Sequence, residues 1–232
     1  MTGTLVNTAT VIAGGTLGSL LGAGLPPRMK ETVITGMSLV VVVLGVKMAL
    51  ATQNILIVLG SVALGGIIGE ALGIQKRLDS LGDTLERRAA SSPFLSRGRF
   101  SQGFVTASLV FCVGPMTVLG SIQDGLAGDS SLLLVKSMLD GFAALAFASV
   151  FGMGVTASAL VVLAVQGSLT LGASFFSGIL TEAMVTEMSA AGGVIMLGIS
   201  VHMMELRSIR LANYLPALVL APVAVWAIGF FQ

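Results

Sequence analysis

Lys136 and Asp140 stand four residues apart inside an otherwise apolar run, LLLVKSMLDGFAALAFASVF. On a helix that spacing puts both side chains on one face. Each charge alone at mid-bilayer costs on the order of 3 kcal/mol on insertion scales. Side by side they neutralise one another. An acid that can take a proton and release its ammonium partner suits proton coupling or anion recognition. The structural alternative is an ion pair that fixes helix packing, or a Lys136 that reaches out along its aliphatic stem to the nearby loop. Ionisable groups inside spans generally mark pathways or relays, so the functional reading leads.

Other polar groups interrupt apolar stretches and join the candidate binding set. Gly114-Pro115 falls inside a predicted span, where Pro removes a helix hydrogen bond and frees carbonyls that can line a cavity or merely kink the helix. Gln123 and Asp124 close that span; they either reach a cavity mouth and meet Lys136 or sit solvated in the loop. Gln166, followed by Gly167, interrupts a later span, and Asn7 with Thr8 and Thr10 forms a comparable patch near the start of the chain. These amides serve either a solute or interhelical hydrogen bonds. Glu70 is expected to pair with Lys76 or Arg77 at headgroup level, Lys47 to snorkel, and His202, with Glu205 three residues on, to be hydrogen-bonded or to relay protons.

No P-loop, dinucleotide-binding GxGxxG, HExxH or nucleophile elbow is present. No catalytic residue, metal site or cofactor is expected, and the chain is read as not an enzyme. Cys112 is the single cysteine, which excludes an intrachain disulfide or a zinc cluster. A net charge of +1 gives no case for nucleic acid.

The elements that hold these residues follow from composition. Hydrophobic residues make up 55% of the chain and mean hydropathy is +0.99, well outside the soluble range. A span needs about 20 mostly apolar residues. Eight such segments lie near 3–23, 32–51, 54–73, 102–121, 132–151, 154–177, 188–206 and 211–231. Their continuous runs lack the alternation of a barrel, so the expected fold is all-α, a polytopic helix bundle forming a single membrane domain over 1–232. Glycines spaced four apart, Gly14/Gly18/Gly22 and Gly65/Gly69/Gly73, suggest that the first and third segments pack tightly together.

Ten of the 12 basic residues fall after the first, third and seventh segments, while the loops after the second, fourth and sixth hold none. The positive-inside rule then puts both termini outside the cytoplasm and the 74–101 loop inside. The first residues lack the basic start of a signal peptide. Within the long loop, Ile74, Leu78, Leu81 and Leu85 form an amphipathic stripe suited to the headgroup layer, and Ser91-Ser92-Pro93 is expected to end that helix. The stretches 25–45 and 180–198 share an acid-containing entry into a Gly-bearing helix, followed by a polar Asn (Asn54, Asn213) and another span. This pattern suggests that segments one to three repeat, inverted, as six to eight, a plan common in secondary transporters.

The runs GTLVNTATVIAGGTLGSLLG, FCVGPMTVLGSIQDGL, LLLVKSMLDGFAALAFASVFGMGV, QGS and ANYLPAL resemble the uncharacterised bacterial inner-membrane family typified by YqgA and YdfK. The resemblance covers nearly the whole chain and implies a multi-pass inner-membrane protein with a suspected transport role. SMLDGFA is also similar to the SMDAFA signature of small manganese exporters, but it inserts Leu139 and sets Lys136 one turn from the acid, which disfavours a hard dication. The expected function is a secondary transporter or permease for a small polar or anionic solute, embedded in membrane lipid and compatible with a homodimer. The alternatives are a scaffold or sensor acting through 74–101, and a divalent-cation exporter.

Overall fold

A computed structural model describes residues 1–89, 100–177 and 179–230. Its helices are α1 (Thr2–Ala23), α2 (Pro27–Ala49), α3 (Ile55–Leu72), α4 (Ile74–Ala89), α5 (Phe100–Cys112), α6 (Pro115–Ala127), α7 (Ser131–Phe151), α8 (Gly154–Ala157), α9 (Ala159–Leu171), α10 (Ala173–Ser177), α11 (Glu182–Met203) and α12 (Ala217–Phe230). A single 3-10 turn, Leu211–Tyr214, precedes α12. No strand occurs among the described residues. The expected all-α bundle is what the chain forms. Seven helical stretches among the described residues are long and apolar enough to cross a membrane. An eighth arises if α5 and α6, bent by 62° at Val113-Gly114, count as one broken span.

Local chemistry sets the ends of these helices. The Asn54 side chain accepts the Leu56 N–H at 3.1 Å and starts α3. Gly73 stops it with φ of +63°, a left-handed conformation that glycine adopts without a Cβ penalty. Thr181 starts α11 by accepting the Met184 N–H at 3.3 Å. The expected stop at Ser91-Ser92-Pro93, together with Arg97 and Arg99, lies outside the described residues.

The residues group into two compact units. The first comprises Met1–Met37, Leu78–Cys112 and Met116–Phe176. In it α1 and α7 run parallel in close backbone contact. Gly3 lies on Leu133, Gly14 on the Gly141 carbonyl, Gly18 on the Leu145 carbonyl and Gly22 on the Ser149 carbonyl. Helices α8 and α9 run antiparallel to α1, with Thr156 against Gly15 and Thr170 against Thr4. Helix α5 runs antiparallel to α7, with Gly103 on Phe151 and the Phe111 ring 6.2 Å from that of Phe147. Helix α6 then reaches the opposite end of α7, where Gly120 meets Leu133. The bent pair thus travels the full length of α7 and does not turn back. Val11, Phe104, Phe111, Phe147, Val155 and Val162 are buried around this set.

The second unit comprises Ser38–Arg77, Val113–Pro115 and Ser177–Gln232. Helix α3 runs antiparallel to α12: Gly65 lies on the Ala217 backbone and Gly69 on the Asn213 carbonyl. Helix α2 approaches α11 through Gly45 and Gly193. Ile57, Ala191, Ala217 and Ala221 form a small apolar core. The expected pairing of the first and third segments is therefore corrected. The glycine face of α1 is spent on α7, and that of α3 on the 3-10 turn and α12. Glycine spacing marks a close-packing face but does not name the helix it meets.

Candidate functional site

Within the first unit, four helices bring polar side chains to one level. On α7 the four-residue spacing works as expected: the Lys136 ammonium pairs with Asp140 Oδ2. Neither side chain sits in bulk solvent; the residues are 6% and 8% exposed. From α1, Asn7 Nδ2 donates to the same Asp140 Oδ2 at 3.0 Å. Both donors converge on one oxygen, and among the described residues Oδ1 takes no hydrogen bond.

Gln166 belongs to this layer by register. The Thr4 and Thr170 hydroxyls are 3.1 Å apart, and one turn further along each antiparallel helix stand Asn7 and Gln166. Both are fully buried. Helix α6 supplies Ser121. Gly125 packs on the Thr170 carbonyl, so Ser121, one turn earlier, comes level with Gln166.

Several of these groups lack partners. Asn7 Oδ1, both polar atoms of Gln166 and Ser121 Oγ are buried without a hydrogen bond among the described residues. Each such group costs about 1–3 kcal/mol if left unsatisfied in a low-dielectric interior. Natural cores rarely tolerate a cluster of them unless a water, an ion or a ligand completes it. The arrangement offers one ammonium, one carboxylate, one free primary amide, one free amide carbonyl and one hydroxyl. It can hold a small solute through charge and hydrogen bonds together.

The other expected site residues are placed differently. Asp124 is buried, but it does not meet Lys136. Its Oδ2 accepts the Gly3 N–H at 3.1 Å and lies 2.9 Å from the Met1 backbone nitrogen, so it closes the start of α1. A carboxylate is favoured there by the exposed N–H groups and the helix dipole. Gln123, one residue earlier on α6, faces outward and joins no hydrogen bond among the described residues. Gly114 and Pro115 do break the helix, as Pro requires. The Phe111 carbonyl takes the Thr117 hydroxyl at 3.2 Å, so the backbone at the break is partly re-satisfied. The break therefore shapes the unit but contributes no bare carbonyl at Phe111. Cys112 is half-buried at the end of α5, one residue past Phe111, whose ring packs on Phe147 of α7.

One expected ion pair in the second unit is also corrected. Glu70 binds Arg210 and accepts Asn213 Nδ2 at 2.6 Å, not Lys76 or Arg77. Asn213 Oδ1 in turn accepts the Gln75 N–H at 2.8 Å, tying the start of α4 to the 3-10 turn. His202 is hydrogen-bonded, the first of its two expected roles: its Nδ1 accepts the Ile209 N–H at 3.5 Å. The most buried carboxylate outside the central layer is Glu187, 2% exposed. It accepts the Gln53 N–H at 2.6 Å, the Asn54 N–H at 3.1 Å and the Thr52 hydroxyl at 2.6 Å, clamping the turn between α2 and α3. Sequence reasoning overlooked Glu187 and Ser121. The signal for Ser121 was its place one turn before Asp124 and Gly125 in LGSIQDG. Nothing in the chain's linear order pointed from Glu187 to a turn more than a hundred residues away.

Among the described residues no group of three His, Cys, Asp or Glu side chains is arranged to hold a metal ion.

Comparison with known proteins agrees with the sequence resemblance. A family model described as "Protein of unknown function (DUF554)" matches residues 2–226. The chain is 29% identical over 237 residues to the uncharacterized membrane protein YdfK of Bacillus subtilis (strain 168), covering 100% of this chain and 98% of the relative. It is 29% identical over 233 residues to the uncharacterized protein YqgA of Escherichia coli (strain K12), covering 98% of each. No solved structure matches.

Proposed function

Since this chain belongs to the DUF554 family of unknown function and carries several membrane-crossing helices, we propose that it is a secondary transporter for a small polar or anionic solute. One observation carries the reading. Lys136, Asp140 and Asn7 join inside an apolar bundle, and Gln166 and Ser121, near the same level by register, are buried with polar atoms to spare. A purely structural ion pair is best served by full satisfaction of its neighbours. This layer keeps free donors and acceptors beside the pair, the chemistry of a site that exchanges partners.

An inverted repeat fits the same reading. The three segment pairs it would relate are antiparallel neighbours: α1 with α8–α9, α2 with α11, and α3 with α12. In this reading both termini lie on the periplasmic or extracellular face of a bacterial inner membrane and α4 in the cytoplasm, which the basic residues after α1, α3 and α11 support. Outward apolar side chains such as Leu50, Phe142 and Leu171 then face lipid.

The test begins with metabolite profiling of cells lacking or overproducing the protein. Solutes that change in opposite directions are then offered to proteoliposomes carrying wild type or the Lys136→Gln/Asp140→Asn double variant. Uptake by wild type that falls at least ten-fold in the double variant supports the reading. Equal uptake by the two, or none by either, removes it.

A further inference from the structure

Building on that transport reading, we infer that the central site carries a monovalent carboxylate together with one proton, so that each crossing is electroneutral. The charge count of the layer leads there. At rest Lys136 and Asp140 cancel. A bare anion would leave the layer at −1 in hydrocarbon, which is expensive. A dication would meet the Lys136 ammonium. A proton on Asp140 changes the balance: the acid becomes neutral, Lys136 is released, and one anionic carboxylate takes its place. The layer is again at zero. Empty and loaded forms then cross with the same net charge.

The free groups fit this exchange. Both Asp140 donors sit on Oδ2, which leaves Oδ1 to receive the proton. Lys136 supplies the charge for the incoming carboxylate, and the Gln166 amide and the Ser121 hydroxyl, near this level by register, are unspent donors. Asn7 Oδ1 and Gln166 Oε1 are free acceptors for the Asp140 proton or for a hydroxyl of the solute.

The stoichiometry follows from the neighbours of α7. Helices α1, α8 and α9 place no charged or titratable side chain against the pair. Helix α6 brings Asp124, already committed to the start of α1, and α5 brings the Cys112 thiol. The layer therefore has one acid that exchanges a proton and one base that binds the anion. One water-derived proton enters on Asp140, one anion enters on Lys136, and both leave on the other side.

The experiment uses full-length protein in proteoliposomes loaded with a pH-sensitive dye. Labelled lactate, succinate and alanine stand for the monocarboxylate, dicarboxylate and zwitterion classes. Expected is lactate uptake with one proton entering per lactate, above protein-free vesicles, and driven by a pH gradient. An imposed potential of about 100 mV leaves the final lactate gradient unchanged, whereas one uncompensated charge would move it roughly fifty-fold. Lys136→Gln abolishes the flux. Asp140→Asn uncouples it from pH. Preference for succinate or alanine, or a gradient that follows the potential, overturns the inference while the transport reading stands. No flux of any of the three overturns the inference; if Cys112 also stays unreachable by water-soluble thiol reagents, the transport reading falls with it.

Discussion

Removing one member of the central pair should destabilise the protein far more than removing both. The side chains of Lys136 and Asp140 are 7% and 12% exposed, so neither has water to fall back on. Stranding one buried charge costs about 3–5 kcal/mol, whereas replacing both partners is often close to neutral. At roughly 2–4 °C per kcal/mol for a chain of this size, each single variant should lose about 6–20 °C in apparent Tm. The variants are Lys136→Gln, Asp140→Asn and their combination. The amide introduced by Asp140→Asn keeps an acceptor for Asn7 Nδ2, so this should be the milder single change. The assay is thermal unfolding of purified protein in detergent, followed by intrinsic fluorescence. The double variant should recover to within a few degrees of wild type. A double variant whose loss equals the sum of the two single losses would show that the two residues are not energetically coupled, and the charge count built on them would be wrong.

Other outcomes follow from the same contacts. Gly18→Leu drives a side chain into the Leu145 carbonyl and should cost at least about 1–3 kcal/mol, visible as lost folded yield; Gly60→Leu, which meets open space, should be tolerated. Glu187→Gln leaves the turn between α2 and α3 with fewer and weaker acceptors and should cost about 1–3 kcal/mol in thermal unfolding, without altering the selectivity of any flux. Asp129, at the start of α7, is held below the ordinary carboxylate range by the Ser131 hydroxyl and then by the Ser131 N–H. Its contribution is present above the unfolded pKa and is lost as pH falls through the depressed folded value. The stability difference between wild type and Asp129→Asn should therefore vanish on acidification below about pH 4, and a difference that grows there would contradict the assignment.

Much of this organisation was legible in the chain. Scarce charge fixed the membrane class, and the four-residue spacing of Lys136 and Asp140 fixed their contact, because both are local properties of a helix. Asn7 and Gln166 stood out because an amide in an apolar span is anomalous. What escaped was everything that depends on which helices meet. The glycines of α1 advertise a smooth face, but only the fold assigns that face to α7. The linear order leaves Asp124 either meeting Lys136 or solvated in the loop, because the fourth span is expected to end near residue 121; α6 continues to Ala127 and turns the carboxylate toward the start of α1. Glu70 found Arg210 over nearer cations because the 3-10 turn brings Arg210 and Asn213 to the end of α3. Long-range pairing of this kind leaves no periodic trace.

Transport through the first unit requires its polar layer to open to water. Cys112, the only cysteine in the chain, lies half-buried at the end of α5, which packs along α7, and serves as a probe. A membrane-impermeant maleimide should be added to one face of sealed vesicles and then to the other. Expected is labelling of the folded protein that shifts between faces when solute and a pH gradient are applied. A thiol that reacts from neither face, yet fully after unfolding in detergent, would contradict an opening layer.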